Sequence, residues 1–155
     1  MFFKSAKYGF IAFIVCFFML PFATSCNHEG SEDQLNVTID SFSTSYFNWH
    51  FKEALPYVTD DSYRWLSYAA SQVHQADIDI LRNMSEGASH EIGDIEFVND
   101  TTAYVLVNVN NFLSIDTIGT EGHIVNEATF RFKAVCKNNI WKIKLNSLPR
   151  MNVLE

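Results

Sequence analysis

The feature that most constrains the fold is an alternating stretch at residues 124–137, IVNEATFRFKAVCK. From residue 128 every second side chain is apolar, and the positions between them are mostly polar or charged. The apolar set is Ala128, Phe130, Phe132, Ala134 and Cys136. Because successive side chains of a strand point to opposite faces, this pattern predicts one long strand with a dry and a wet face. Other parts of the chain must cover the dry face.

Three more strands are predicted around this one. Residues 102–112, TAYVLVNVNNF, are rich in β-branched and aromatic side chains, and residues 140–145 alternate again. The apolar residues at 92–97 do not share one parity, which predicts a β-bulge near Gly93. The Asn-Asn pair at 138–139 predicts a tight hairpin turn, because asparagine tolerates positive φ.

The chain before these strands has the periodicity of helices. Apolar residues recur at spacings of three, four and three, which is typical of one face of an amphipathic helix. The first such set is Ile39, Phe42, Tyr46 and Trp49, and a second falls within residues 63–73. Helices first and strands after, joined by short turns, predict an α+β domain. We expect the N-terminal helices to pack on one face of a four-stranded antiparallel sheet.

The N-terminal segment predicts a secretory signal. Lys4 and Lys7 precede an apolar run at residues 9–20, and small residues follow before Cys26. The run falls short of the roughly 20 apolar residues that a membrane-spanning helix needs. The sequence ATSC at residues 23–26 resembles a bacterial lipobox, and this resemblance implies that Cys26 is lipidated. A plain secretory protein, in which Cys26 is an ordinary thiol, is the alternative.

These features divide the chain into four parts. We expect a lipoprotein signal peptide at residues 1–25, a polar tether at 26–36, one domain at 37–149 and a tail at 150–155. The expected location is the bacterial cell envelope, with the lipid in the outer membrane on its periplasmic or surface side. The membrane is therefore the first expected partner. Beyond the signal the chain carries 9 basic against 18 acidic residues, which argues against a nucleic-acid partner.

Three segments carry a resemblance to a known superfamily. They are residues 51–66 (FKEALPYVTDDSYRWL), 102–107 (TAYVLV) and 138–145 (NNIWKIKL). Together they resemble small lipoproteins of the nuclear-transport-factor-2-like superfamily, also called cystatin-like or ketosteroid-isomerase-like cone proteins. The resemblance implies a strongly curved sheet that wraps a long helix and leaves a conical cavity. Members range from isomerases and small dehydratases to binding and scaffolding domains without chemistry, so the fold does not fix the function.

Aromatic side chains are the candidate lining of such a cavity. The set is Tyr46, Trp49, Trp65 and Tyr104. Aromatic rings also dominate protein cores, so a core role is the alternative for each of them.

Basic side chains form a candidate docking patch late in the chain. The set is Arg131, Lys133, Lys142 and Lys144, which occupy the wet faces of two successive strands. A solvated face that discourages edge pairing is one interpretation. The other is a docking surface for an anionic glycan, a lipid headgroup or an acidic protein.

No spacing of histidines typical of a metal site, no nucleophile elbow and no phosphate-binding loop is present in the sequence. We therefore assign no catalytic residue, no metal ligand and no cofactor. The leading hypothesis is a lipid-anchored envelope protein with a small non-catalytic domain that binds a ligand, a glycan or an envelope protein. A homodimer through the sheet face is a further expectation.

The alternative is a small isomerase- or hydrolase-like enzyme that uses a carboxylate in the cone cavity. Asp94 and Asp116 have the right side chain, although no spacing singles them out. A cavity filled by Phe130, Phe132 and Trp141 would argue against this alternative.

Overall fold

The computed structural model describes residues 30–115 and 119–152. Within these ranges the α-helices are α1 (Glu32–Phe47), α2 (Phe51–Ala54), α3 (Tyr63–Ser71) and α4 (Gln75–Asn83). Short 3-10 helices follow α2 at Leu55–Tyr57 and precede α3 at Asp60–Ser62. The strands are β1 (Ser89–Asn99), β2 (Thr102–Ser114), β3 (His123–Lys137), β4 (Ile140–Lys144) and β5 (Met151–Asn152). The expected signal peptide, the lipidation of Cys26 and the candidate Asp116 lie outside the described residues.

The strands form one antiparallel sheet in the order β1-β2-β3-β4, and β5 pairs with the middle of β3. The predicted Asn-Asn hairpin joins β3 to β4, with φ values of 53° and 62° at Asn138 and Asn139. Helix α1 packs against the inner face of this sheet and contributes Leu35, Ile39 and Phe42 to the core. The predicted fold class is therefore confirmed: α+β, with helices on one face of a curved antiparallel sheet.

The predicted bulge lies in β1. Ile92 pairs with Val107 and Ile95 pairs with Val105, so Gly93 and Asp94 add one extra residue to β1. The extra residue changes the parity of the strand, as a β-bulge does. Ile92 and Ile95 thereby both reach the inner face, where both pack against the core.

The sheet curls inward around the first half of α1. The rings of Phe97 on β1 and Trp141 on β4 lie 6.0 Å apart, centroid to centroid. In a flat sheet these strands would be separated by about 14 Å, because three strand spacings lie between them. Ala103 and Ala134, which are fully buried on the two middle strands, leave room for the larger rings to meet.

The dry face predicted for β3 is buried as expected. Phe130 and Phe132 are 4% and 2% exposed, and Cys136 is 7% exposed beside Trp141. Trp141 itself is 1% exposed. The interior of the cone is therefore filled by side chains over most of its depth.

The structure differs from the sequence prediction at both ends of α1. Ser31 is the N-cap and its hydroxyl accepts a hydrogen bond from the Gln34 N–H, so residues 32–36 are helical although we expect them in the tether. Leu35 within them is fully buried. The helix ends at Phe47, so Trp49 lies beyond the helix whose apolar stripe it was predicted to extend. In residues 30–115 and 119–152, no helix is long and apolar enough to cross a membrane.

Candidate functional site

A pocket of about 140 Å³ opens where α1 ends. Aromatic rings from both helices and strands form most of its wall, namely Tyr46, Phe47, Trp49, Phe51, Phe112 and Phe130. Gln72, just after α3, adds a side-chain amide. We call this site the aromatic pocket.

The turn after α1 places Trp49 at the mouth of the aromatic pocket. The His50 N–H donates to the Ser45 carbonyl at 2.8 Å and the Trp49 N–H donates to the Tyr46 carbonyl at 3.0 Å, which together form a Schellman motif. Trp49 occupies the left-handed position of this motif with φ of 63°, where glycine is usual. This conformation costs a non-glycine residue about 1–2 kcal/mol. The indole N–H donates to the Leu113 carbonyl at 3.3 Å, which holds the ring between the helix end and β2.

Strand β2 bends next to this pocket. Asn111 has φ of 54°, and its side-chain amide donates to the Glu86 carbonyl at 2.8 Å. After this residue both Phe112 and Leu113 are buried, although neighbouring strand residues normally face opposite ways. The bend therefore turns Phe112 into the pocket wall.

The floor of the aromatic pocket is a cluster of three phenylalanines. The ring of Phe47 lies 4.7 Å from that of Phe130 and 5.6 Å from that of Phe112, and the last two rings are 5.5 Å apart. Below this cluster the cone holds the buried side chains of Phe132 and Trp141. The pocket is therefore shallow, because packed rings occupy the deeper part of the cone.

Tyr46 supplies a phenolic hydroxyl to the pocket, and Ser114 supplies a second hydroxyl. Its ring stacks on Phe42 at 5.3 Å and meets Phe51 edge to face at 5.6 Å. Burial raises the pKa of the Tyr46 hydroxyl well above its usual value, since a tyrosinate would be poorly solvated among these rings. The hydroxyl therefore stays protonated and can donate a hydrogen bond. It has no hydrogen-bond partner among the residues that the structure describes.

The four aromatic residues predicted to line a cavity lie in three different places. Tyr46 and Trp49 line the aromatic pocket. Trp65 packs against the core from α3, away from the pocket lining, with the Arg64 guanidinium 5.1 Å from its ring centroid.

Tyr104 lies on the outer face of the sheet, so its placement in a cavity was wrong. It pairs with Glu96 on one side and Lys133 on the other, and the Arg131 guanidinium lies 3.9 Å from its ring centroid. The reason is parity: Ala103 and Val105 point inward, so the residue between them points outward.

The four residues of the predicted docking patch all lie on this outer face; they are Arg131, Lys133, Lys142 and Lys144. Two of them have acidic neighbours. Arg131 is 2.9 Å from Glu96, and Lys144 is 3.4 Å from Asp61. A hydrogen bond from the Thr59 hydroxyl and the charge of Lys144 lower the pKa of Asp61. The acids reduce the positive potential of the patch, although exposed ion pairs of this kind add little stability.

Groups typical of acid–base or metal chemistry are not among the described residues that line the aromatic pocket. The described part of its lining includes no carboxylate, imidazole or thiol. His90 and Asp40 form a pair at 3.2 Å between β1 and α1, but neither lines the pocket. Within residues 30–115 and 119–152 no group of three or more potential ligands is placed to hold a metal ion.

No protein-family model matches the chain, and no curated protein is similar to it in sequence. Solved structures do resemble it in fold. An NTF-2-like protein of unknown function from Shewanella oneidensis is 8% identical, with 72% of this chain and 92% of that chain covered and a TM-score of 0.46. A provisionally named scytalone dehydratase from Novosphingobium aromaticivorans is 15% identical, covering 78% and 83%, with a TM-score of 0.45.

A third structure, an Ntf2-like protein involved in plasmid conjugation, is 13% identical, with 74% of this chain and 50% of that chain covered and a TM-score of 0.31. All three are similar to this chain in fold only. None of their residue roles or substrates is assigned to it.

Proposed function

We propose that this chain is a non-catalytic binding protein that takes one small, uncharged and largely apolar molecule in the aromatic pocket. The observation that carries this proposal is the composition of the pocket: rings on several sides, the hydroxyls of Tyr46 and Ser114, and no carboxylate or imidazole among the described lining residues. An apolar pocket with a few polar groups is the usual form of a small-molecule site. The filled cone beneath it favours binding over the isomerase- or hydrolase-like alternative.

The volume of the pocket limits the ligand to about one ring. At about 140 Å³ it is close to the roughly 150 Å³ apolar cavity that accommodates benzene in another protein. Flat ligands suit this wall, because aromatic rings stack with one another in offset or edge-to-face arrangements. A charged ligand does not suit it, since burying an unpaired charge is costly.

Because of Tyr46, we expect the pocket to prefer ligands that carry a hydrogen-bond acceptor. The Tyr46 hydroxyl is protonated and lacks a partner among the described residues, so it is ready to donate to a ketone, ester or ether oxygen. A hydrogen bond of this kind contributes about 0.5–1.5 kcal/mol, or up to about tenfold in affinity.

The proposal also places the domain in the bacterial cell envelope, held by a lipid on Cys26. The support for this part is the signal-like and lipobox-like sequence of the first 26 residues. Mass analysis of the mature N-terminus tests it: an acylated Cys26 is expected, and a released chain with an unmodified thiol would contradict it.

Binding of acetophenone to the full chain tests the pocket, with benzoate as the charged analogue of similar size. We expect acetophenone to bind and benzoate to bind far more weakly. Ala69 lines the pocket while its neighbour Ala70 is exposed on the same helix, so Ala69→Trp should abolish binding and Ala70→Trp should not. Tyr46→Phe should weaken acetophenone up to about tenfold and leave toluene unchanged.

Calorimetric titration measures the affinity of the wild-type chain and these variants for acetophenone and benzoate. Equal binding of acetophenone and benzoate, or equal losses in the two tryptophan variants, would contradict the proposed site.

A further inference from the structure

A second and larger cavity lies between α4 and the turn after α1. Its volume is about 500 Å³, within the range of about 300–1,000 Å³ found for small-molecule sites. Phe47 and Trp49 form one wall and also line the aromatic pocket, so the two cavities share these rings. The α4 side of the wall consists of Ile78, Leu81 and Met84. We call this second site the α4 cavity.

The cavity exists because α4 is held to the rest of the domain mainly by hydrogen bonds of one buried side chain, Asp77, and its apolar face is incompletely packed. The carboxylate of Asp77 is fully buried and accepts hydrogen bonds from the Gly122 N–H at 2.9 Å and the His74 N–H at 2.8 Å. By contrast, Ile78 and Leu81 are only half-buried. The helix thus turns apolar side chains toward open space, where an apolar ligand would gain contacts that the protein does not supply.

The polar groups of the α4 cavity are suited to an anion. Arg82 and His50 line it, and no carboxylate is among the described lining residues, although Glu53 lies 3.6 Å from the His50 imidazole. Asn48 also lines it, but the amide of Asn48 is occupied by the carbonyls of Thr44 and Ala88 and by the Ala88 N–H.

The Arg82 side chain is 73% exposed, and its acidic neighbour Asp79 is 3.9 Å away, which is a weak and screened contact. It is therefore accessible to a ligand. A guanidinium binds a carboxylate through two parallel hydrogen bonds, which makes arginine well suited to the head of an acyl chain. The chain as a whole carries a net charge of −7, whereas the described lining of this cavity holds Arg82 and His50 and no carboxylate, with Asp79 and Glu53 beside these two groups.

We propose that the α4 cavity binds a medium-chain fatty acid, with the carboxylate at Arg82 and the acyl chain along Ile78, Leu81 and the rings of Phe47 and Trp49. An unbranched chain can follow an irregular apolar surface, and a single arginine matches a single carboxylate. This inference goes beyond the proposed function, because the cavity and the class of ligand both differ from those of the aromatic pocket.

Titration calorimetry with decanoate and decanol tests the head group. The full chain is used in the form in which the expression host processes it. Arg82→Gln should weaken decanoate at least about tenfold and leave decanol unchanged. Arg64→Gln is the matched control, because Arg64 is also exposed on a helix but does not line the cavity. All variants keep the same N-terminal segment, so uptake by that segment cancels in the comparison.

A series from octanoate to dodecanoate tests the acyl chain. Each added methylene should tighten binding about fourfold until the cavity is full, since burial of a methylene contributes a constant increment. Leu81→Trp, which places a ring in the proposed path of the acyl chain, should weaken binding of decanoate at least about tenfold. Ala69→Trp, which fills the aromatic pocket, should change it less than about twofold.

Several results would overturn the inference. They are absence of decanoate binding, equal losses in the Arg82 and Arg64 variants, and loss in Ala69→Trp without loss in Leu81→Trp. The last result would move the acyl chain into the aromatic pocket. Failure of acetophenone binding together with intact decanoate binding would instead remove the proposed function and leave this inference standing.

Discussion

The two ends of α1 are built differently, although the same helix and the same sheet form both. We call the end at Ser31 the closed end and the end at Phe47 the open end. At the closed end, side chains of α1 bond directly to the backbone of β4. The Gln34 carbonyl oxygen accepts from the Trp141 N–H at 2.7 Å, and the Thr38 hydroxyl donates to the Trp141 carbonyl at 3.3 Å.

Glycine completes the packing at the closed end. Gly30 has φ of 83°, and a Cβ atom there would lie 2.7 Å from the indole nitrogen of Trp141. Only glycine fits this position, both for its backbone angle and for the closeness of the ring. At Gly30 the closed end therefore leaves no room for even one added methyl group.

The open end is held by strained turns and by one buried carboxylate. Trp49 and Asn111 both have positive φ, and Asp77 is the buried residue that fastens α4. The rings of Tyr46 and Trp49 there are only half-buried and lie beside cavities. Binding regions are commonly drawn from the less stable parts of a structure. The comparison shows that side chains pack tightly at the closed end of α1, whereas cavities remain beside the open end.

The largest expected effect concerns the closed end. Trp141→Ala should lower the free energy of unfolding by about 3–5 kcal/mol, because the site is fully packed and cannot collapse. Urea denaturation measures the loss, and Trp141→Phe should show a smaller loss if the alanine variant does not fold. A loss below about 1 kcal/mol would mean that the closed end is no better packed than the open end.

The next effect concerns the fastening of α4. Asp77→Asn keeps one acceptor oxygen but sets an N–H₂ group against an N–H donor, which should cost about 1–3 kcal/mol at this buried position. Hydrogen exchange should quicken in α4 and at Gly122 while the sheet stays protected. Asp79→Asn is the control, because Asp79 is exposed on the same helix. Equal exchange in both variants would show that the buried carboxylate does not fasten α4.

Hydrophobic alternation was sufficient to predict the sheet. The buried face of β3, the hairpin at Asn138 and the bulge near Gly93 all follow from local parity and turn chemistry, and the structure confirms them. The start of α1 could not be predicted in this way. The acidic residues after Ser31 are typical of a tether, but they also suit the first turn of a helix, where negative charge is favourable.

The pocket was harder to predict than the sheet, because its walls depend on two departures from regular structure. The spacing from Ile39 to Trp49 predicts a continuous helix, yet the helix ends two residues earlier and a positive φ turns the indole back. Phe112 enters the wall only because β2 bends at Asn111. An aromatic residue after an Asn-Asn pair in a strand was the available signal for this bend. The α4 cavity arises because the apolar side chains of α4 are incompletely covered. Sequence periodicity shows which face of a helix is apolar, but it does not show whether that face is covered.

The smallest effect isolates the strain at the open end. Replacing Trp49 by alanine removes the ring but keeps a Cβ atom at a left-handed position, whereas glycine removes both the ring and the strain. Trp49→Gly should therefore be more stable than Trp49→Ala by about 1 kcal/mol, although glycine is normally the less stable residue in ordered backbone. Thermal and urea unfolding of the two variants measure the difference, and His50→Gly against His50→Ala serves as the control one residue further on. A Trp49→Ala variant as stable as Trp49→Gly would mean that the turn after α1 is unstrained, and the open end would then differ from the closed end in packing alone.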